Sequence, residues 1–211
     1  MHIKAIAPGS TLITPTIASR AVEFRGECVR KSLHMLIALV PGIATVAGVT
    51  PTLGLLGFGV LVYTSAEYVR LQGHSVLVIS SLTVLASRPR DRGHFVAGPV
   101  TLGIGAMLAL LLYPAPPAFL AIYALAFGDG FASLVGRSVG RIRIANGTTL
   151  EGSLACLAAV FGSAMAVTGS LADSLTVALT ATFLEALPSD DLDNIILPMG
   201  VGLVATLLTR I

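Results

Sequence analysis

Apolar positions along the chain gather into seven runs, residues 33–49, 52–69, 95–113, 117–135, 153–169, 174–187 and 195–208, joined by short connections rich in Pro, Gly and Asp. The longest approach the ~20 residues needed to cross a bilayer. An eighth segment, residues 75–87 ("SVLVISSLTVLAS"), is apolar but too short for a full crossing, and suits an interfacial or re-entrant helix. The pattern predicts an all-α fold: a polytopic integral membrane helical bundle of about seven transmembrane helices plus one short interfacial or re-entrant helix. Residues 1–32 form an N-terminal cytoplasmic segment with an amphipathic basic helix, and residues 33–211 form the bundle. No internal repeat or low-complexity tract is evident.

Composition agrees with this class. The chain of 211 residues is 55% hydrophobic and 11% charged, with a mean hydropathy of +0.89, against roughly 25% charged in an average soluble domain. Pro8 and Gly9 interrupt the only early apolar run, so no signal peptide is expected. Cys28 and Cys156 have neither redox nor metal spacing, and no disulfide is expected between them.

Charge decides the topology. If residues 75–87 do not cross, all of the 13 Lys and Arg except Arg210 fall on one side. If they do cross, the two sides become nearly equal. The positive-inside rule selects the first arrangement, with that side cytoplasmic. The expectation is therefore a protein of the cytoplasmic membrane with its N-terminus inside and its C-terminus outside. Of the 11 acids only Asp173 then lies outside. A mixed-charge inner face suits a charged, water-soluble ligand.

Four constellations occupy that face. In "EFRGECVRKSLHM", Glu27, Arg30, Lys31 and His34 lie at i, i+3, i+4 and i+7, one helical stripe carrying an acid, two cations and an imidazole. Arg and Lys both suit phosphate oxygens, the one as a fork and the other as a point charge, although juxtamembrane anchoring also uses such pairs. In "SAEYVRL", Glu67 and Arg70 are spaced for a structural ion pair. In "FGDGFASLVGRSVGR", Asp129 is an intramembrane carboxylate, a costly group that marks function by default. Ala132, Gly136 and Gly140 share its face and clear space for a neighbouring helix or a ligand. Arg137, Arg141 and Arg143 follow, and Glu151 opens the next span in "TTLEGS". Finally, "LEALPSDDLDNIILP" holds Glu185, Asp190, Asp193 and Asn194, where aspartate at a helix start is also ordinary capping. Carboxylates with cations suggest Mg²⁺ bridging nucleotide phosphates, with arginines neutralising the remaining charge.

Together, E-x-x-R-K-x-x-H, G-D-x-x-A-x-x-x-G-x-x-x-G-R, T-x-E-G-S and a late E…D-N…P resemble the polyprenol kinase family of dolichol kinase, phytol kinase and CTP-dependent diacylglycerol kinases. The resemblance runs from Glu27 to Pro198 in the family's order. It implies phosphorylation of a lipid alcohol by a nucleoside triphosphate, CTP with a divalent metal, at the cytosolic face. It implies Asp129, Arg30, Lys31, Glu27 and His34 as catalytic residues. A nucleotide loop of residues 137–152 would use Gly136, Arg137, Gly140, Arg141, Arg143, Thr149, Glu151 and Gly152, joined by Asn194. Asp129, Glu151, Glu185 and Asp193 would hold Mg²⁺. The implied partners are the lipid alcohol, the nucleotide and membrane lipids, not nucleic acid, and a homo-oligomer is compatible with them.

One departure is Thr148, where the family commonly has lysine; Arg141 or Arg143 would have to replace that cation. The alternatives are a phosphatidate cytidylyltransferase-like enzyme, whose K-D and H-G-G signature is missing, and a non-enzymatic lipid transporter or binding bundle. The latter predicts polar groups at mid-bilayer and helices broken there.

Overall fold

The computed structural model describes residues 17–74, 76–87, 91, 93–144, 147–187 and 192–209. Expectations resting on Lys4, Pro8, Gly9, Arg88, Arg90, Arg92, Asp190, Asp191 and Arg210 fall outside them. Within them the chain is helical, and the only β pairing is a single bridge between Arg143 and Thr149. The elements are α1 (Ile17–Met35), a 3-10 turn (Leu36–Leu39), α2 (Val40–Ala47), α3 (Val49–Leu71), α4 (Leu77–Ala86), α5 (Gly98–Leu112), α6 (Pro117–Tyr123), a π-helical segment (Ala124–Asp129), α7 (Gly130–Ser138), α8 (Leu150–Thr168), α9 (Leu171–Glu185) and α10 (Asp193–Leu208).

Four stretches are long and apolar enough to cross a membrane: Phe24–Ala47, Val49–Leu71, Pro117–Ser138 and Leu150–Thr168. Helices α5, α9 and α10 have 15, 15 and 16 residues. The expected division at residues 32/33 falls inside α1. The basic segment and the first apolar run are one helical rod, tightened by the 3-10 turn and ended at Gly48, whose φ of +90° suits glycine.

The distribution of side-chain sizes identifies the solvent. Ala106, Ala109, Ala121, Ala124, Ala126, Ala178 and Ala181 are fully buried, whereas Leu55, Phe58, Leu61, Leu111, Leu112 and Phe183 are exposed. In water, each exposed Leu or Phe would forgo about 1.5–3 kcal/mol of burial. In lipid that driving force vanishes, and small residues at helix contacts allow close approach. The bundle is packed as a membrane protein.

Helix α4 accounts for residues 75–87. Its 10 residues rise about 15 Å, half the hydrocarbon thickness. It lies against α1 and α3, and a Cβ on Gly26 of α1 would come within 2.8 Å of the Leu85 carbonyl oxygen. Glycine at that position lets the two backbones touch.

Candidate functional site

The site begins with the π segment. It interrupts the i→i−4 ladder just before Asp129, a distortion common at functional positions. The Leu125 carbonyl oxygen then lies 3.0 Å from His34 Nε2. A carbonyl can only accept, so Nε2 carries the proton and donates. The same nitrogen is 3.3 Å from Asp129 Oδ2. Lys31 Nζ donates to Asp129 Oδ2 in direct contact, and Ser133 Oγ is 3.5 Å from Oδ1. Asp129, Lys31 and His34 are all buried, at 6%, 4% and 7% exposure. Burial of charges on this scale requires pairing, and α1 supplies both partners from one stripe.

Glu27, one turn earlier, is also buried. Both its oxygens accept from Arg30, and Arg137 of α7 reaches Oε2 at 3.1 Å. Glu27 thus ties α1 to α7 and orients two guanidiniums. Glu67 does similar work on the far wall: Arg70 donates to its two oxygens at 2.7 and 2.6 Å, and the Val96 amide at 3.0 Å. That pair is structural, as its spacing predicts, and it fixes the chain leading into α5.

These elements enclose a cavity of about 280 Å³. Its polar lining includes Arg30, Lys31, His34, Asp129, Asp193 and Asn194. Its apolar wall is built from Leu33, Leu102 and, on α4, Ile79, Leu82 and Ala86. Asn194 Nδ2 faces the Gly98 carbonyl at 3.4 Å and Thr101 Oγ1 at 2.9 Å. Because Gly98 O only accepts, the amide orientation is fixed, and Oδ1 is the acceptor that remains. Tyr63, Thr83 and Asp91 also line the space. Sequence reading missed them. Tyr63 and Thr83 look like ordinary membrane residues, and only tertiary folding brings α4 to the site.

Within the expected nucleotide loop the side chains make local contacts. Thr149 caps α8, its Oγ1 accepting from the Gly152 amide at 3.1 Å. Glu151 accepts from the Arg141 and Ile142 amides at 2.9 and 3.3 Å. Gly136 and Gly152 form the contact between α7 and α8: a Cβ on Gly152 would meet the Ala132 carbonyl oxygen at 2.7 Å, and one on Gly136 would meet Thr149 Oγ1 at 2.9 Å. A Cβ on Gly140 would meet Thr149 Cγ2 at 2.8 Å. The space beneath Asp129 is therefore filled by a neighbouring helix. Asp129 itself faces α1. Arg137, Arg141 and Arg143 are exposed, and none of these loop residues lines the cavity.

This packing has a measurable sign. Gly152→Ala is expected to lower the melting temperature in detergent, because overpacking against backbone costs about 1–3 kcal/mol. Gly162→Ala, on the same helix with open space around it, is expected to raise it through helix propensity, by up to about 1 kcal/mol. Equal shifts of one sign would contradict the close α7–α8 contact.

The expected metal set does not assemble. Asp129 and Asp193 share the cavity, Glu151 is bound to backbone amides, and Glu185 lies outside the lining, its Oε2 buried without a hydrogen-bond partner. Among the described residues no three His, Cys, Asp or Glu side chains are grouped to hold a metal ion. Comparison with protein-family models, curated proteins and solved structures finds no match.

Proposed function

We propose that this protein is a membrane-embedded lipid-alcohol kinase, transferring a phosphoryl group from a nucleoside triphosphate, CTP by the motif resemblance, to a long-chain alcohol at the cytoplasmic face. The observation that carries the reading is the cavity, whose lining combines cations and carboxylates with apolar side chains, those of Ile79, Leu82 and Ala86 on α4 among them. An amphiphile with a hydroxyl head and a hydrocarbon tail matches both parts. In this proposal Mg²⁺ enters with the nucleotide's phosphates, as part of the substrate.

The Lys31–Asp129 pair gives the chemistry a resting state. An incoming triphosphate competes for the Lys31 ammonium, and Arg30 adds a fork for phosphate oxygens. Asp129, released from its counterion, accepts the proton of the lipid hydroxyl. The alkoxide oxygen bonds to the γ-phosphorus as the bond from that phosphorus to the β–γ bridging oxygen breaks, and the diphosphate leaves. His34 donates from Nε2 and holds the Asp129 carboxylate in place. Positioning and charge supply the acceleration.

The test is direct. Purified protein, supplied with CTP or ATP labelled in the γ-phosphate and with polyprenol, phytol or diacylglycerol in turn, is expected to label one alcohol. Absence of labelled lipid for every pair would refute the reading. Release of pyrophosphate with phosphatidate, without γ-phosphate transfer, would identify a cytidylyltransferase instead.

The same proposal assigns seven crossings with the cavity inside. In a Cys28→Ser background, cysteines replacing Gln72 or Ser138 are expected to react with an impermeant maleimide only from the cytoplasmic side. A cysteine replacing Asp173 is expected to react only from outside. Outer labelling at Ser138→Cys would reverse the assignment.

A further inference from the structure

The described residues between α7 and α8 carry a surface outside the cavity. Two short arms, residues 141–144 and 148–150, pair around the Arg143–Thr149 bridge. Ile144 N donates to Thr148 O and Leu150 N to Ile142 O, both at 2.9 Å. In that register Ile142 stands opposite Leu150 and Ile144 opposite Thr148, so these four share one face. Arg143 and Thr149, with Arg141 and Glu151, share the other. Glu151 clamps the first arm through the Arg141 and Ile142 amides. The arms are thus held in shape, and yet Ile142 is 57%, Ile144 50% and Leu150 39% exposed.

We propose that this amphipathic arm pair docks on the bilayer surface, its isoleucines set among the upper acyl chains and Arg141 and Arg143 on anionic headgroup phosphates. Three observations select the bilayer as the occupant. Leu150 is the first residue of a helix long and apolar enough to cross a membrane, so the arms begin where that span begins. Val139, just after α7, and Leu154, one turn into α8 from Leu150, are exposed apolar side chains flanking the arms in sequence. Exposed arginines next to exposed isoleucines complement an interface that is apolar below and anionic above. The inference rests on membrane insertion alone and does not depend on the kinase reading.

The chain contains no tryptophan, so Ile144→Trp gives a unique reporter in the full-length protein. It is reconstituted in phosphatidylcholine vesicles with or without phosphatidylglycerol. The emission is expected to be blue-shifted from that of free tryptophanamide. It should be quenched by lipids brominated near the headgroup and shielded from acrylamide, with the shielding greater when phosphatidylglycerol is present. Arg141→Gln with Arg143→Gln is expected to abolish that lipid-charge dependence. Ile142→Trp is the parallel reporter if Ile144→Trp fails to fold. Acrylamide quenching like that of free tryptophanamide would overturn docking. A blue-shifted emission that brominated lipid does not quench would mean protein covers the face, and would overturn it too. Lipid quenching indifferent to phosphatidylglycerol and to both arginines would overturn the assignment of Arg141 and Arg143 to the headgroups.

Discussion

Asp129→Asn is expected to lower turnover at least ~100-fold, the scale of losing one proton acceptor or key electrostatic group, and to destabilise the protein as well. On shape alone, asparagine would be a quiet replacement. The structure changes that expectation, because Lys31 is buried against this carboxylate. Removing one partner of a buried pair leaves an uncompensated charge, at a cost of about 3–5 kcal/mol. Loss of activity in the single variant would therefore be ambiguous. The double variant Asp129→Asn/Lys31→Met removes both charges, and it is expected to regain most of the melting temperature in detergent while turnover stays down. Wild-type turnover in either variant would reduce Asp129 to a packing group. A double variant that regains neither stability nor turnover would show that His34 and the Leu125 carbonyl also depend on the charge.

The membrane class and the polar lining of the cavity were legible because each rests on local spacing. An i, i+3, i+4, i+7 stripe on any helix presents Glu27, Arg30, Lys31 and His34 to one neighbour, and an aspartate inside an apolar run has to meet a counter-charge. The shortness of residues 75–87 likewise limits what that segment can be. The rest was hidden for physical reasons that differ from place to place. "ALAFGD" has no composition that distinguishes a π turn from an α turn, so the register of Asp129 relative to the turns that precede it in the span was not legible. Thr149 and Glu151 satisfy both a nucleotide motif and an N-cap with an acid in the first turn. In the structure Thr149 accepts from the Gly152 amide at the start of α8, and Glu151 from the Arg141 and Ile142 amides of the preceding arm. Glu185 and Asp193 are close in sequence, and of the two only Asp193 lines the cavity. The apolar wall depends on where α4 docks, and nothing within residues 75–87 encodes that. Gly26 on α1, which permits the contact, lies some 60 residues away.

That wall is where the acceptor alcohol can be tested apart from the nucleotide. Ala86, in the last turn of α4, lines the cavity and contributes only a methyl group. Replacing it with tryptophan puts a large indole into a space of about 280 Å³ while Asp129, Lys31 and Arg30 are left unsubstituted. A bound hydrocarbon chain would then have to give up its contacts with Ile79 and Leu82. Losing a few buried methylenes at ~0.8 kcal/mol each predicts roughly a 100-fold fall in kcat/KM for a long-chain alcohol, equivalent to about 2.7 kcal/mol. The KM for the nucleotide is expected to stay within about two-fold of wild type, because an interaction removed from one substrate should not tax the other. Leu82→Ala opens the same wall and is expected to shift preference toward bulkier alcohols. A steep rise in nucleotide KM in Ala86→Trp, with the alcohol dependence unchanged, would place the triphosphate along α4 and move the lipid elsewhere.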